Sequence, residues 1–236
     1  MTLFLFILTS IHSTLLSAQN QEVQDEINRQ RDNSKDAWGN CLTSDTWILS
    51  DYSGSMEGYE SRVFGAAQEI GNGILRENAK ARIGVILFND SQTLVQGLTN
   101  NKDELNDSLA DFENVGAEGG TEIYRALLTT EYLQNRTEKS KYAQEQDFRK
   151  IIILISDGED GKSEKSIIMS RHLKNSGWII YSIFVHKNSV SEEQARDGGY
   201  RHLEKISGDF SPESAYVDSV LLDDLSNHFR EKFSCM

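Results

Sequence analysis

A single proline stands in 236 residues. That argues against proline-rich linkers and against an array of small modules. Basic residues are also scarce: 24 Lys and Arg face 37 Asp and Glu, a formal net charge of -13. Nucleic acid is a poor partner for such a chain, because phosphate binding needs Lys and Arg to displace counterions. Docking to an anionic membrane surface is disfavoured on the same ground. There is no nucleophile elbow and no Gly-Lys phosphate loop, and His172, His186, His202 and His228 show no metal-type spacing. The sequence therefore predicts no enzyme. Beyond the amino terminus no run is long and apolar enough to cross a membrane. What is present is a 38% hydrophobic composition, sufficient for one domain with a real core.

Met1 to Ala18 hold no Asp, Glu, Lys or Arg, and Leu3 to Leu8 is strongly apolar before Gln19-Asn20-Gln21-Glu22 turns the chain polar. This reads as a signal peptide over 1–18, cut near Ser17-Ala18, and hence as a secreted or extracytoplasmic protein. An uncleaved signal anchor is the alternative. A polar arm over 19–40 leads into the domain, expected over 41–235. The only cysteines, Cys41 and Cys235, stand at its two ends. In an exported chain an even pair suggests a disulfide, and two free thiols are the alternative. A bridge closing so long a loop is worth about 5 kcal/mol in the chain-entropy model.

Apolar runs and helical periodicities then alternate. Strands are expected at Thr46 to Asp51, Ala81 to Asn89, Gln92 to Leu98, Phe148 to Ser156, Trp178 to Val185 and Ser214 to Val217. Helices are expected at Gly58 to Arg76, Asn101 to Phe112, Glu122 to Asn135, Glu164 to Ser176, from Ser191 onward, and at Val220 to Phe233. Residues 136–147 form a polar insert without periodicity. The pattern predicts an α/β fold: a doubly wound, mostly parallel six-stranded sheet with one antiparallel edge strand and helices on both faces. Trp47 and Trp178 read as core residues flanking strands.

In such a sheet ligands bind outside the carboxyl ends of the strands. Three polar stretches fall there. Asp51-Tyr52-Ser53-Gly54-Ser55 follows the first strand and offers oxygens at alternate positions. Asp157 follows the most apolar strand, and Thr121 ends the glycine-rich loop 116–121. If the first strand and the Ile151 strand are neighbours, two carboxylates and three hydroxyls surround one point. That donor set suits a hard divalent cation. Glu57, Glu118, Glu159 and Asp160 are candidates for an acidic rim, or simply solvated loop charges.

The Asp51-x-Ser53-x-Ser55 triplet, Thr121 and the Asp157-Gly158 pair resemble the von Willebrand factor type A domain, in which such residues form a metal-ion-dependent adhesion site. The resemblance spans about Cys41 to Cys235. It implies a divalent cation, Mg²⁺ first with Mn²⁺ or Ca²⁺ as alternatives, bound directly by Ser53 and Ser55. It implies that Thr121, Asp51 and Asp157 bind directly or through water. It further implies a protein partner whose Asp or Glu completes the coordination. The last helix, Val220 to Phe233, is then the element expected to shift, restrained by Cys235 if bridged to Cys41. The alternative within the family is a scaffold domain whose ion only stabilises the fold. An aspartate-nucleophile phosphotransferase is disfavoured, since Ser53 stands where a second acid is needed.

Overall fold

A computed structural model describes residues 43–112, 115–137, 139–140, 143–144, 148–158, 160–186, 199–208 and 217–221. The signal-peptide, arm and cysteine expectations lie outside these residues, as do the helix expected from Ser191, most of the closing helix and parts of the 136–147 insert.

Six strands form one sheet in the order β3-β2-β1-β4-β5-β6. They are β1 (Ser44–Asp51), β2 (Arg82–Phe88), β3 (Gln92–Thr99), β4 (Arg149–Ser156), β5 (Trp178–His186) and β6 (Val217–Leu221). All neighbours pair in parallel except β2 with β3. The sequence-based class, α/β with an antiparallel edge strand, holds. β3 is irregular: in its pairing with β2, Val85 meets Gln96 and Ile86 meets Leu94, so β3 carries extra residues against a straight partner.

Among the described residues, five helices flank the sheet: α1 (Glu60–Glu77), α2 (Lys102–Ala110), α3 (Ile123–Arg136), α4 (Ser163–Asn175) and α5 (Arg201–Ser207). Strand alternation decides which side chains each helix meets. Trp47 and Leu49 of β1 pack with Phe88, Ile152, Leu154 and Ile180, under Ile123 and Leu127 of α3, Leu173 of α4 and Leu203 of α5. Ile48 faces the other way, close to Gly71 of α1, which also touches Leu105 of α2 and Ile83. β1 is buried along its whole length, as expected of a central parallel strand. Gly84, opposite Trp47 in the ladder, leaves room for the indole, since a Cβ there would lie 2.5 Å from the ring.

Two sequence expectations need correction. The last strand runs Val217–Leu221 rather than Ser214 to Val217, so Val220 and Leu221 belong to the sheet and not to the closing helix. Val, Val and Leu within five residues suit a β-ladder beside β5 at least as well as a helix start. A short 3₁₀ turn, Gly54–Met56, was not foreseen, because three residues are too few to show a period.

At the amino end of the strands sits a buried polar network. Arg82 Nε and Nη2 each donate to Asp45 at 2.7 Å. Gln134 Nε2 donates to Asp45 Oδ2 at 2.7 Å, and its Oε1 accepts from the Trp47 indole at 2.8 Å. Asp45 is 1% exposed, and a paired group so buried is costly to orphan. Asp45→Ala should lower unfolding free energy by about 3 kcal/mol, read as a lower urea midpoint at unchanged slope. A loss below about 1 kcal/mol would mean the pair behaves like a surface salt bridge.

Candidate metal centre

The chain order reverses between β1 and β4, and both strands end at the same edge: Ser50 lies opposite Ile155 in the parallel ladder. One step further, Asp51 therefore meets Ser156. The Ser156 hydroxyl donates to Asp51 Oδ2 at 2.6 Å and accepts from Gly158 N–H at 2.9 Å. That one hydroxyl ties the end of β1 to the loop that carries Asp157. No local motif in the sequence marks Ser156 for this role. Its signal was the register, which requires knowing that β1 and β4 are neighbours.

Asp51 is fully buried and Ser53 nearly so. Asp51 Oδ1 accepts the Ser53 N–H at 3.0 Å, an Asx-type turn that folds the loop back on the strand end. The turn brings the Ser53 and Ser55 hydroxyls to 2.9 Å from each other. Gly54 between them is exposed and Ser55 partly so, whereas Ser53 is covered, so the pair leads from the interior toward the surface.

The Thr121 loop is stitched across this turn by backbone bonds. Gly54 N–H donates to Gly119 O at 2.9 Å, and Glu118 N–H to Tyr52 O at 3.2 Å. Asp90 Oδ2 accepts Gly120 N–H at 2.9 Å, and Asn89 Nδ2 donates to Glu118 O at 3.0 Å. Gly161 N–H then donates to Thr121 O at 3.0 Å. All three predicted segments are thus joined: the turn with Asp51, Ser53 and Ser55 is bonded to the loop that ends at Thr121, and that loop to the segment after Asp157. Lys162 of the third segment pairs with Glu122 of the second, which Arg125 also contacts.

The predicted acidic rim divides. Glu57 and Glu118 are exposed, whereas the Asp160 carboxylate is fully covered. It accepts from Lys162 N–H at 3.0 Å, from the Ser166 hydroxyl and from His202 Nε2 at 3.1 Å. Burial pushes its carboxyl up, but the bonds from His202, Ser166 and Lys162 outweigh that and hold it below the usual aspartate value. Asp160 is therefore a structural anchor and not part of a rim. His202 lies 42 residues away, so no local pattern could have linked the two.

The electrostatics of Asp51 are different. Burial, and then the like charge of Asp157, raise its carboxyl from 3.8 to about 7, against the lowering bonds from Ser156 and Ser53. A buried carboxylate whose acting neighbour charge is a second carboxylate calls for a cation. The remaining donors are hydroxyls, so the set is all oxygen and fits a hard divalent ion rather than a soft one. Among the described residues no group of three or more His, Cys, Asp or Glu is arranged as a metal cluster.

Without a cation, Asp51 is ionised in the unfolded chain above about pH 4 and protonated in the folded form up to about 7. Folding then takes up a proton, so this group's contribution to stability is fully present at low pH and is lost as pH rises through that window. In EDTA, Asp51→Asn should gain in thermal midpoint relative to the parent as pH is raised from 4 to 8. A difference independent of pH would contradict the buried, like-charged setting.

Residues 46–159 match the family model described as von Willebrand factor type A domain. No curated protein matches the chain. Proximal thread matrix protein 1 from the mussel byssus shares the fold with TM-score 0.63 at 19% identity, covering 82% of this chain and 48% of that one. The three N-terminal domains of the type V pili tip protein Mfa5 from Porphyromonas gingivalis give TM-score 0.59 at 12% identity, covering 78% and 48%. Manganese-loaded TRAP protein from Plasmodium vivax gives 0.57 at 14% identity, covering 82% and 74%. The chain thus spans about half the length of the first two. The family match over the site-bearing segments and the shared fold together support a von Willebrand factor type A domain in this chain.

Proposed function

We propose that the protein is an exported, metal-dependent protein-binding module of the adhesion type. Asp51, Ser53, Ser55, Thr121 and Asp157 hold a divalent cation, Mg²⁺ first, with Mn²⁺ or Ca²⁺ able to replace it. The observation that carries this reading is the buried Asp51 carboxylate set against Asp157, with the Ser53 and Ser55 hydroxyls 2.9 Å apart beside it. When bound, the ion supplies an electrophilic position for a carboxylate oxygen from an Asp or Glu of a protein partner. The chain's own residues do the rest. Ser156 and the Asx-type turn fix Asp51 in direction. The cross-loop bonds from Gly54 and Glu118 fix the Thr121 loop over it. The relatives support the assignment: one was crystallised with manganese, another is a pilus tip protein, and a third is the pilus adhesin SpaC of Lactobacillus rhamnosus GG. Export rests on the apolar, uncharged Met1 to Ala18. No helix among the described residues is long and apolar enough to cross a membrane.

An ion that binds only the folded form stabilises it by mass action, by about 2.7 kcal/mol at a hundredfold excess over Kd. For a domain of this size that is on the order of 5 to 10 °C. Thermal unfolding in EDTA and then in Mg²⁺, Mn²⁺ or Ca²⁺ should show such a rise, abolished in Asp51→Ala and in Asp157→Ala. Because cation and proton compete for Asp51, the rise should be larger at pH 8 than at pH 5. A rise without any metal-dependent capture of carboxylate-bearing proteins would leave a scaffold role. No rise up to millimolar ion would remove the adhesion mechanism and leave the fold.

A further inference from the structure

Two glycines meet beside Asp157. A Cβ on Gly158, whose φ is +78, would stand 2.2 Å from Gly199 O, and one on Gly199 would stand 1.9 Å from Asp157 O. The backbone before α5 therefore lies directly on the backbone of the Asp157 loop, with no side chain between them. The same two segments are joined again at the Asp160–His202 bond, 3.1 Å long, between side chains 0% and 10% exposed. Asp160 accepts from every partner around it, so the His202 Nε2 carries the proton that it donates. α5 itself is seated in the core through Leu203 and Ile206, both fully buried. Asp157, by contrast, is only partly buried. It stands before a left-handed glycine, and its charge acts on the Asp51 carboxyl across the site.

We propose that His202, acting through Asp160, is a positioning residue for the metal centre: it clamps the loop after β4 onto α5 and so fixes the Asp157 carboxylate toward Asp51. This deepens the metal reading above and rests on it. The clamp is specific to a donated hydrogen bond, since the Gly158–Gly199 contact supplies shape but no direction. Coupling of this kind is reciprocal: if a seated α5 favours the ion, the ion must favour a seated α5.

The test is titration of the full chain with Mg²⁺ and with Mn²⁺ by calorimetry, well below the unfolding temperature. Groups that orient metal ligands are worth about 10- to 100-fold in affinity. His202→Ala should weaken both ions about tenfold, and His202→Gln, which keeps a donor, should restore most of it. A second measurement needs no variant: Mg²⁺ should slow amide exchange across residues 201–207 of the parent protein. Should the parent bind while His202→Ala binds equally well, the clamp is refuted and the metal reading stands. Equal weakening in Ala and Gln would refute the hydrogen bond as its basis, and so would exchange at 201–207 that ignores Mg²⁺. If the parent binds neither ion, the metal reading fails first and takes the clamp with it.

Discussion

Everything at the site depends on the parallel pairing of β1 with β4. Its register sets Ser50 opposite Ile155, and that alone brings an aspartate from one strand end against a serine from the other. From the Asp51–Ser156 bond outward, each contact is local: a turn over Ser53, a loop laid on Gly54, a glycine pressed on a glycine. Had the two strands paired one residue out of step, Asp51 would face the opposite side of the sheet from Ser156. No rearrangement of the loops could recover that.

β1 carries two buried aspartates on the same face, and the protein treats them oppositely. Asp45, at the amino end, is answered by Arg82 and Gln134 from the protein itself. Asp51, at the carboxyl end, is placed against Asp157 instead. One end of the strand is closed by its own ion pair, which serves stability. The other stores an unfavourable field of the kind a cation would relieve, and the proposed metal centre lies there. Electrostatic strain is thus confined to the end where strand order reverses and ligands bind.

The fold was largely legible because its strands are apolar runs and its helices carry apolar stripes. Ile151 to Ile155 and the Ile48-Leu49 pair could hardly be anything but buried strands. The meeting of the three candidate segments was legible because they follow strands or precede a helix at one edge. What could not be read was pairing in space. Ser156 needed the β1–β4 register, and Asp160 needed His202. An acidic residue in a loop gives no sign of being covered by a helix that arrives later in the chain. The last strand was misplaced by three residues because the stretch from Ser214 on mixes polar and apolar residues without a clear period.

Among the described residues β3 is one of the two edge strands of the sheet, and it is not straight. Its extra residues against β2 interrupt the even row of amide and carbonyl groups that another strand would need as a template. Unpaired edges invite chains to join edge to edge, and bulges are one way of preventing it. With Leu94 exposed on that same edge, a regular β3 would present both the hydrogen bonds and an apolar contact for sheet-to-sheet growth. The irregularity denies an incoming strand a regular partner, so copies of this chain are hindered from fusing through that side of the sheet.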